Sequence, residues 1–239
     1  MTTEDAILGP TIPCSRRPRA IGSRFTRAVP CRRALGFLFL IAVLGVAQPA
    51  AADESTCGPL RNAHGPFDYR SATARQIQLV EDYHFTPEVE MLKHGKSGLT
   101  IGGDLDFTLR VFPNHYRALA AMMNLGFKVK KSPPPGAQWP VECYFDRAIR
   151  FKPDDAQVYT IYGIYMFRRG KTTDAIAQFE MAAKLGDDSG NLHYNAGLAY
   201  FELGDYDNAV AHAKKAAELG FSLPGLRDKL TKLGKWPAE

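Results

Sequence analysis

The 239 residues are 45% hydrophobic, 23% charged and 11% aromatic, with a mean hydropathy of −0.23, which excludes a disordered, collagen-like or polytopic membrane chain. The formal net charge of +5 resides in residues 1–52, where seven arginines face only Glu4 and Asp5; from Asp53 onward 23 basic and 23 acidic side chains cancel. A body without excess positive charge has nothing to steer a phosphate backbone, so the pI near 9.0 implies no nucleic-acid partner.

Arg32 and Arg33 precede an unbroken apolar run, Ala34 to Ala47, and then Ala50-Ala51-Ala52. A basic start, an apolar centre and small residues at the end read as a secretory leader over 1–52, with cleavage expected after Ala52. The run holds 14 residues, too few for the roughly 20 that a membrane-spanning helix needs. A start at Val29 would give a compact basic region, and Ala34-Leu35 after the arginine pair favours general secretion over the twin-arginine route. Cys57 follows Glu54-Ser55-Thr56, not small apolar residues, so lipid anchoring is not expected.

Residues 53–100 form a separate N-terminal segment, extended and then helical. CGPLRNAHGPFDYR is punctuated by Gly and Pro and reads as extended chain lying on the rest. ATARQIQLVEDYHF (72–85) reads as a helix starting near Ser71. In TPEVEMLKHG (86–95), Thr86 and Pro87 give a start signal and Gly95 a stop.

Residues 101–239 read as one helical domain. LDFTLRVFPNH (105–115) shares its pattern with FDRAIRFKPDD (145–155), so both are expected to be helices that end at a Pro-containing turn. Asp104 and Asp106 read as a helix cap and first-turn acid after two glycines. HYRALAAMMNLG (115–126) is the next helix, with Gly126 as its turn glycine. The stretch 128–140, with three consecutive prolines, cannot be helical and is expected to protrude as a loop.

A period of 34 residues then appears. Gly163, Gly170, Ala175 and Ala182 recur as Gly197, Gly204, Ala209 and Ala216, and Phe145, Ala148 and Pro153 lie one period before Phe179, Ala182 and Asp187. Tyr159, Tyr162, Gly163 and Met166 form one apolar stripe of a first helix; Ala175, Phe179 and Ala182 form the inner face of a second. Gly163 removes a side chain at a close crossing, and Gly170 ends its helix in a turn that needs φ > 0. Helix pairs of this kind cannot bury both faces alone, so they stack. LPGLRDKLTKLGKW (223–236) closes the stack, with Leu226, Leu230 and Leu233 as its buried stripe.

The aromatic–Gly–aromatic first helices (Tyr159, Gly163, Gly170; Gly197, Tyr200, Gly204) and the Ala–Phe–Ala second helix (Ala175, Phe179, Ala182) resemble the tetratricopeptide repeat family. The resemblance is specific over 156–221; Asp187 and Phe221 stand where the family usually has Pro. It implies an all-α fold: a short right-handed superhelix of antiparallel helix pairs, with repeats at about 112–155, 156–189 and 190–223 and a cap at 224–236. It also implies a concave groove lined by first-helix residues. These are Tyr116, Arg117, Ala120 and Met123, then Thr160, Ile161, Ile164, Phe167 and Arg168, then Tyr194, Asn195, Leu198, Phe201 and Glu202. That surface is apolar and aromatic, with Asn195 set to bond a peptide backbone. It lacks the lysines of a carboxylate clamp.

Sites for chemistry are scarce. The six histidines show no metal-ligand spacing, and His115 and His193 occupy core slots of first helices, so no metal and no cofactor is expected. GxSxG, HExxH, P-loop and CxxC motifs are absent from the sequence. Cys57 and Cys143 remain after the leader and are expected to pair, tying the N-terminal segment to the first repeat. The leading reading is a non-enzymatic scaffold of the cell envelope, periplasmic or secreted, that binds a polypeptide in its groove. One rival is a structural subunit of a secretion, pilus or polysaccharide assembly that makes contact through the Pro-rich loop. Another is an envelope enzyme within 61–106, which requires His64, Asp68, His84 and Asp104 to converge.

Overall fold

A computed structural model describes residues 56–237, apart from Ser97 and Ser222. The leader, its cleavage point and its start lie outside those residues. The described chain holds ten helices: α1 Ala74–His84, α2 Pro87–Glu90, α3 Ile101–Val111, α4 Tyr116–Val129, α5 Val141–Phe151, α6 Ala156–Arg168, α7 Thr172–Lys184, α8 Gly190–Glu202, α9 Tyr206–Glu218 and α10 Gly225–Lys232. The fold is all-α, as the repeat pattern predicts.

The regular half follows directly from its small residues. α6 packs along α7 and α8 along α9, while α7 also meets α8. Ala175, Ala182, Ala209 and Ala216 are buried, and a Cβ on Gly163 would stand 2.5 Å from Cε1 of Phe179, so the crossing needs glycine there. Gly170 and Gly204 adopt φ of +74° and +78°. Each donates to the carbonyl three residues back, while Lys171 and Asp205 donate to Met166 and Tyr200, closing both first helices with the same motif. The same bonds recur after the second helices, at Gly186 and Gly220.

The N-terminal half is less regular. α1 begins at Thr73 with a reciprocal capping box to Gln76. α2 stops at Glu90, one turn long and short of the Gly95 expected to end it, because Leu92 turns left-handed (φ 55°) and folds the chain back. α3 is capped by Thr100, whose hydroxyl accepts from Gly103, so neither Asp104 nor Asp106 is the cap.

Three further expectations are corrected. Gly126 is not a turn residue: α4 runs through it to Val129 and the left-handed residue is Lys130. A Cβ at Gly126 would lie 2.6 Å from Cγ2 of Val141, so this glycine allows α4 and α5 to approach closely. The Pro-rich stretch does not protrude as a free loop, because Pro134 and Ala137 are buried, Thr100 donates its hydroxyl to the Pro135 carbonyl, and the Gln138 amide donates to Asp106. Leu233 is 50% exposed, since α10 ends at Lys232 and Trp236 packs back against the last helix pair in its place.

Candidate functional site

The first helices α4, α6 and α8 are neighbours and carry the side chains expected to line a concave face. Their fates differ by repeat. Met123 is buried in the main core, in the cluster that includes Val89 and Leu92, because the α2 turn packs on α4. Thr160 is also buried and donates to Asp187 Oδ2 at 2.6 Å, so it fixes the linker after α7. Those two leave the groove set.

On α4, Tyr116 and Arg117 are engaged by the chain's own N-terminal segment, although Arg117 keeps about half of its side chain exposed (48%). The Tyr69 ring meets Tyr116 edge-on at 5.5 Å and stacks on His115 at 4.0 Å. Arg117 grips Glu90 with both Nε (2.8 Å) and a terminal nitrogen, reaches Glu81 at 3.4 Å, and lies over Phe85. Burial and the nearby Asp155 push the Tyr116 hydroxyl up to about 12.

His115 is a hub of this contact. It caps α4 by accepting from the Ala118 amide at Nδ1, so its proton sits on Nε2, which faces Glu81 Oε1 at 3.1 Å. Burial, and then the Arg117 charge, lower its pKa to about 3. A second proton at Nδ1 would destroy the cap.

On α6 and α8 the face is different. Ile161, Ile164 and Phe167 are half-buried against the main core; Tyr194, Leu198 and Phe201 are half-buried against the last cluster. Arg168 lies over Phe127 at 4.1 Å and donates to Asn124, and Glu202 pairs with Lys229, whose ammonium sits 5.2 Å from the Phe201 ring. Asn195 donates its amide to the carbonyl and side chain of Asn191, so its donor already serves its own helix.

Two devices hold the N-terminal segment down. Cys57 and Cys143 form a disulfide across 86 residues. Arg147, buried in α5 under the Trp139 ring (4.2 Å), donates Nη1 to the carbonyls of Cys57 and Pro59 at 3.2 and 2.6 Å. Arg150 adds a bond to the Gly58 carbonyl at 3.0 Å. Burial, and then the neighbouring Arg150 charge, depress the Arg147 pKa. Among the described residues its Nε has no hydrogen-bond partner.

The residues required for an enzymatic site in 61–106 separate into two places. His84 donates Nδ1–H to the fully buried Asp104 at 3.0 Å, Asp104 also accepts from the Lys96 amide at 2.7 Å, and His64 lines the same cleft as His84. Asp68 belongs elsewhere, in a network with Arg70, Lys152 and Asn114, which also bonds Asp155. Burial opposes the Asp68 charge, yet bonds from Arg70 and Asn114 hold its carboxyl well below the usual range. Burial raises Asp155. Asp106 accepts from Tyr144 and Arg110 and braces α3 against α5.

His193 and His212 share one hydrogen between their Nδ1 atoms at 2.9 Å, with Asp188 on the far side of His193. Burial, and then His193, lower the His212 pKa. Among the described residues no group of three or more His, Cys, Asp or Glu side chains is placed to hold a metal ion, and no helix is long and apolar enough to cross a membrane.

Sequence reasoning pointed to Phe67 and Tyr69 as packing an ordered loop, and both rings meet Phe112, but it missed Glu81, Glu90 and Asn114 as organising residues. Only Asn114 carried a signal, the match of PNH at 113–115 with PDD at 153–155, and nothing in it named its partners.

Comparison with known proteins gives one family match: the model described as Tetratricopeptide repeat, over residues 163–222. None of the curated proteins matches the chain. Among solved structures, MamA AMB-1 aligns at 21% identity over 50% of this chain and 66% of that one, with a TM-score of 0.37. MamA MSR-1 aligns at 18% identity over 64% of this chain and 80% of that one, with a TM-score of 0.40.

Proposed function

Taking the chain as a tetratricopeptide repeat protein, we propose that it is a non-enzymatic scaffold of the cell envelope that binds a polypeptide through the concave face of α6 and α8. The observation that carries this reading is the ladder of half-buried apolar side chains, Ile161, Ile164 and Phe167 on α6 and Tyr194, Leu198 and Phe201 on α8. The equivalent face of α4 is already occupied by residues 67–90, so the ligand surface is two repeats long. An apolar, aromatic partner segment suits it, because Arg168 and Glu202 are engaged by Asn124 and Lys229. The Cys57–Cys143 disulfide supports an oxidising compartment, and the leader at 1–52 supports export.

The test is to place a photo-crosslinking residue at Ile164, identify the bound segment, and measure its affinity for variants. Phe167→Ala and Phe201→Ala are each expected to weaken binding by on the order of 2 kcal/mol, with the helical circular dichroism unchanged. Unchanged affinity overturns the groove as the contact. Unfolding of either variant means that its ring is core, and the surface then shifts off α6 and α8. N-terminal sequencing of the exported protein tests the leader; a mature start before residue 45 overturns cleavage after Ala52.

A further inference from the structure

A cleft of about 440 Å³ is lined by α1, α3 and the non-helical segment 63–67. Val80, Val111 and Phe112, all buried, form its floor, while Phe67, Leu79 and Tyr83 stand at its rim. Leu79 and Tyr83, one turn apart on α1, are 62% and 58% exposed, an unusual cost for two large side chains facing water. The outer wall is built, not incidental. Asn62 donates to the Arg110 carbonyl at 2.6 Å and accepts from the His64 amide, and the Phe67 amide donates to the Val111 carbonyl, all behind the disulfide and the Arg147 clamp.

The lining holds no acidic side chain and no permanent cation. Its titratable members are His64, His84 and Tyr83; no Asp, Glu, Lys or Arg contributes to the wall. His84 is stacked on Phe107 at 3.9 Å and anchored through Nδ1 to the buried Asp104. That leaves Nε2 as the ring nitrogen turned away from Asp104, on a ring that cannot rotate without uncovering a buried carboxylate. The volume falls within the range of roughly 300–1,000 Å³ that encloses a small organic ligand.

From this cleft we infer a binding site for an amphipathic monocarboxylate, with an aliphatic or aromatic body on the Val80–Phe112 floor and its head accepting a hydrogen bond from His84 Nε2. Asp104 fixes the ring through Nδ1, and a carboxylate head beside Nε2 gains a charge-assisted bond that a neutral head lacks. The site does not rest on the α6–α8 groove, which occupies different helices.

Calorimetry with dodecanoate, dodecanol and dodecyltrimethylammonium, each below its micelle threshold, tests the inference on the disulfide-bonded protein. Dodecanoate is expected to bind one to one, and dodecanol weaker by on the order of tenfold. Leu79→Glu, a change at an exposed position, is expected to abolish dodecanoate binding by placing like charge at the rim. The paired variant His84→Gln with Asp104→Asn, which keeps a hydrogen bond between the two positions and removes both the imidazole and the carboxylate, is expected to erase the difference between acid and alcohol. Phe167→Ala is expected to leave dodecanoate affinity unchanged, which separates this site from the groove. No saturable binding below about 1 mM, equal affinity for acid and alcohol, or indifference to Leu79→Glu each overturns the inference. So does protection of Leu79 and Tyr83 by a polypeptide that dodecanoate fails to displace, since the cleft is then a protein contact.

Discussion

In residues 156–221 each helix is closed by a glycine turn and packed through buried alanines, and the same bonds recur from one helix pair to the next. In residues 56–155 the helices vary in length from 4 to 14 residues, and a disulfide, a buried arginine and a carboxylate network hold them together. Repetition solves packing locally, because each pair needs only its neighbour. The N-terminal half has no neighbour on its outer side, so it uses long-range ties. Those same ties place Tyr69, Glu81 and Glu90 over α4, which is why the two halves differ in the surface that they leave to partners.

The sharpest way to break the contrast is to cut the covalent tie. Cys57→Ser with Cys143→Ser is expected to cost roughly 4–5 kcal/mol by the chain-entropy argument for a loop of 86 residues. Denaturant unfolding and limited proteolysis should show the loss confined to residues 56–155, with the protease-resistant repeat helices intact. A single uniform transition shifted by the whole amount would mean that the halves unfold as one unit.

The repeat half is broken by volume instead. Gly163→Leu drives a branched side chain into the Phe179 ring, and overpacking is expected to cost about 1–3 kcal/mol or more, read from the melting temperature. Ala182→Leu, at a buried position on the facing helix, should behave alike. Gly170→Ala, where the added Cβ meets open space but φ is +74°, should cost less, about 1 kcal/mol.

Acid sharpens the difference again. The folded His115 pKa of about 3 lies below the 6.5 of a free histidine, so the folded state binds fewer protons than the unfolded chain between those limits. Stability from this group is therefore complete above about pH 6.5 and is lost as pH falls toward 3, at up to about 1.4 kcal/mol per pH unit. His115→Asn keeps an acceptor at the helix cap and removes the titration, so the slope of stability against pH between 4 and 6 should fall by about one proton. An unchanged slope would assign the acid sensitivity to other groups. The smallest effect is expected at Asn195: with its amide bonded inside its own helix, Asn195→Ala should change stability by within about 0.5 kcal/mol.

The helix pairs of 156–221, their turn glycines and the Gly163 crossing were legible because each is a local rule repeated at a fixed offset. Gly126 misled for the same reason. A glycine that permits a crossing and one that ends a helix look alike in sequence, and only the position of Val141 distinguishes them. The groove was half legible. Phe167 and Phe201 are half-buried against the two core clusters, whereas Met123 and Thr160 are buried by α2 and by Asp187, partners that the repeat pattern does not contain.

Composition and periodicity thus determined the all-α class, the helix pairs of 156–221 and the cysteine pair, since these depend on residue type, spacing and number along the chain. Only the tertiary structure decided that residues 67–90 cover α4, that Arg147 is spent on backbone carbonyls, and that His84 and Asp104 meet beside an apolar cleft. Each of those contacts joins residues that no period relates. The free energy of such a contact comes from burial and charge pairing in three dimensions, and sequence distance carries no trace of it.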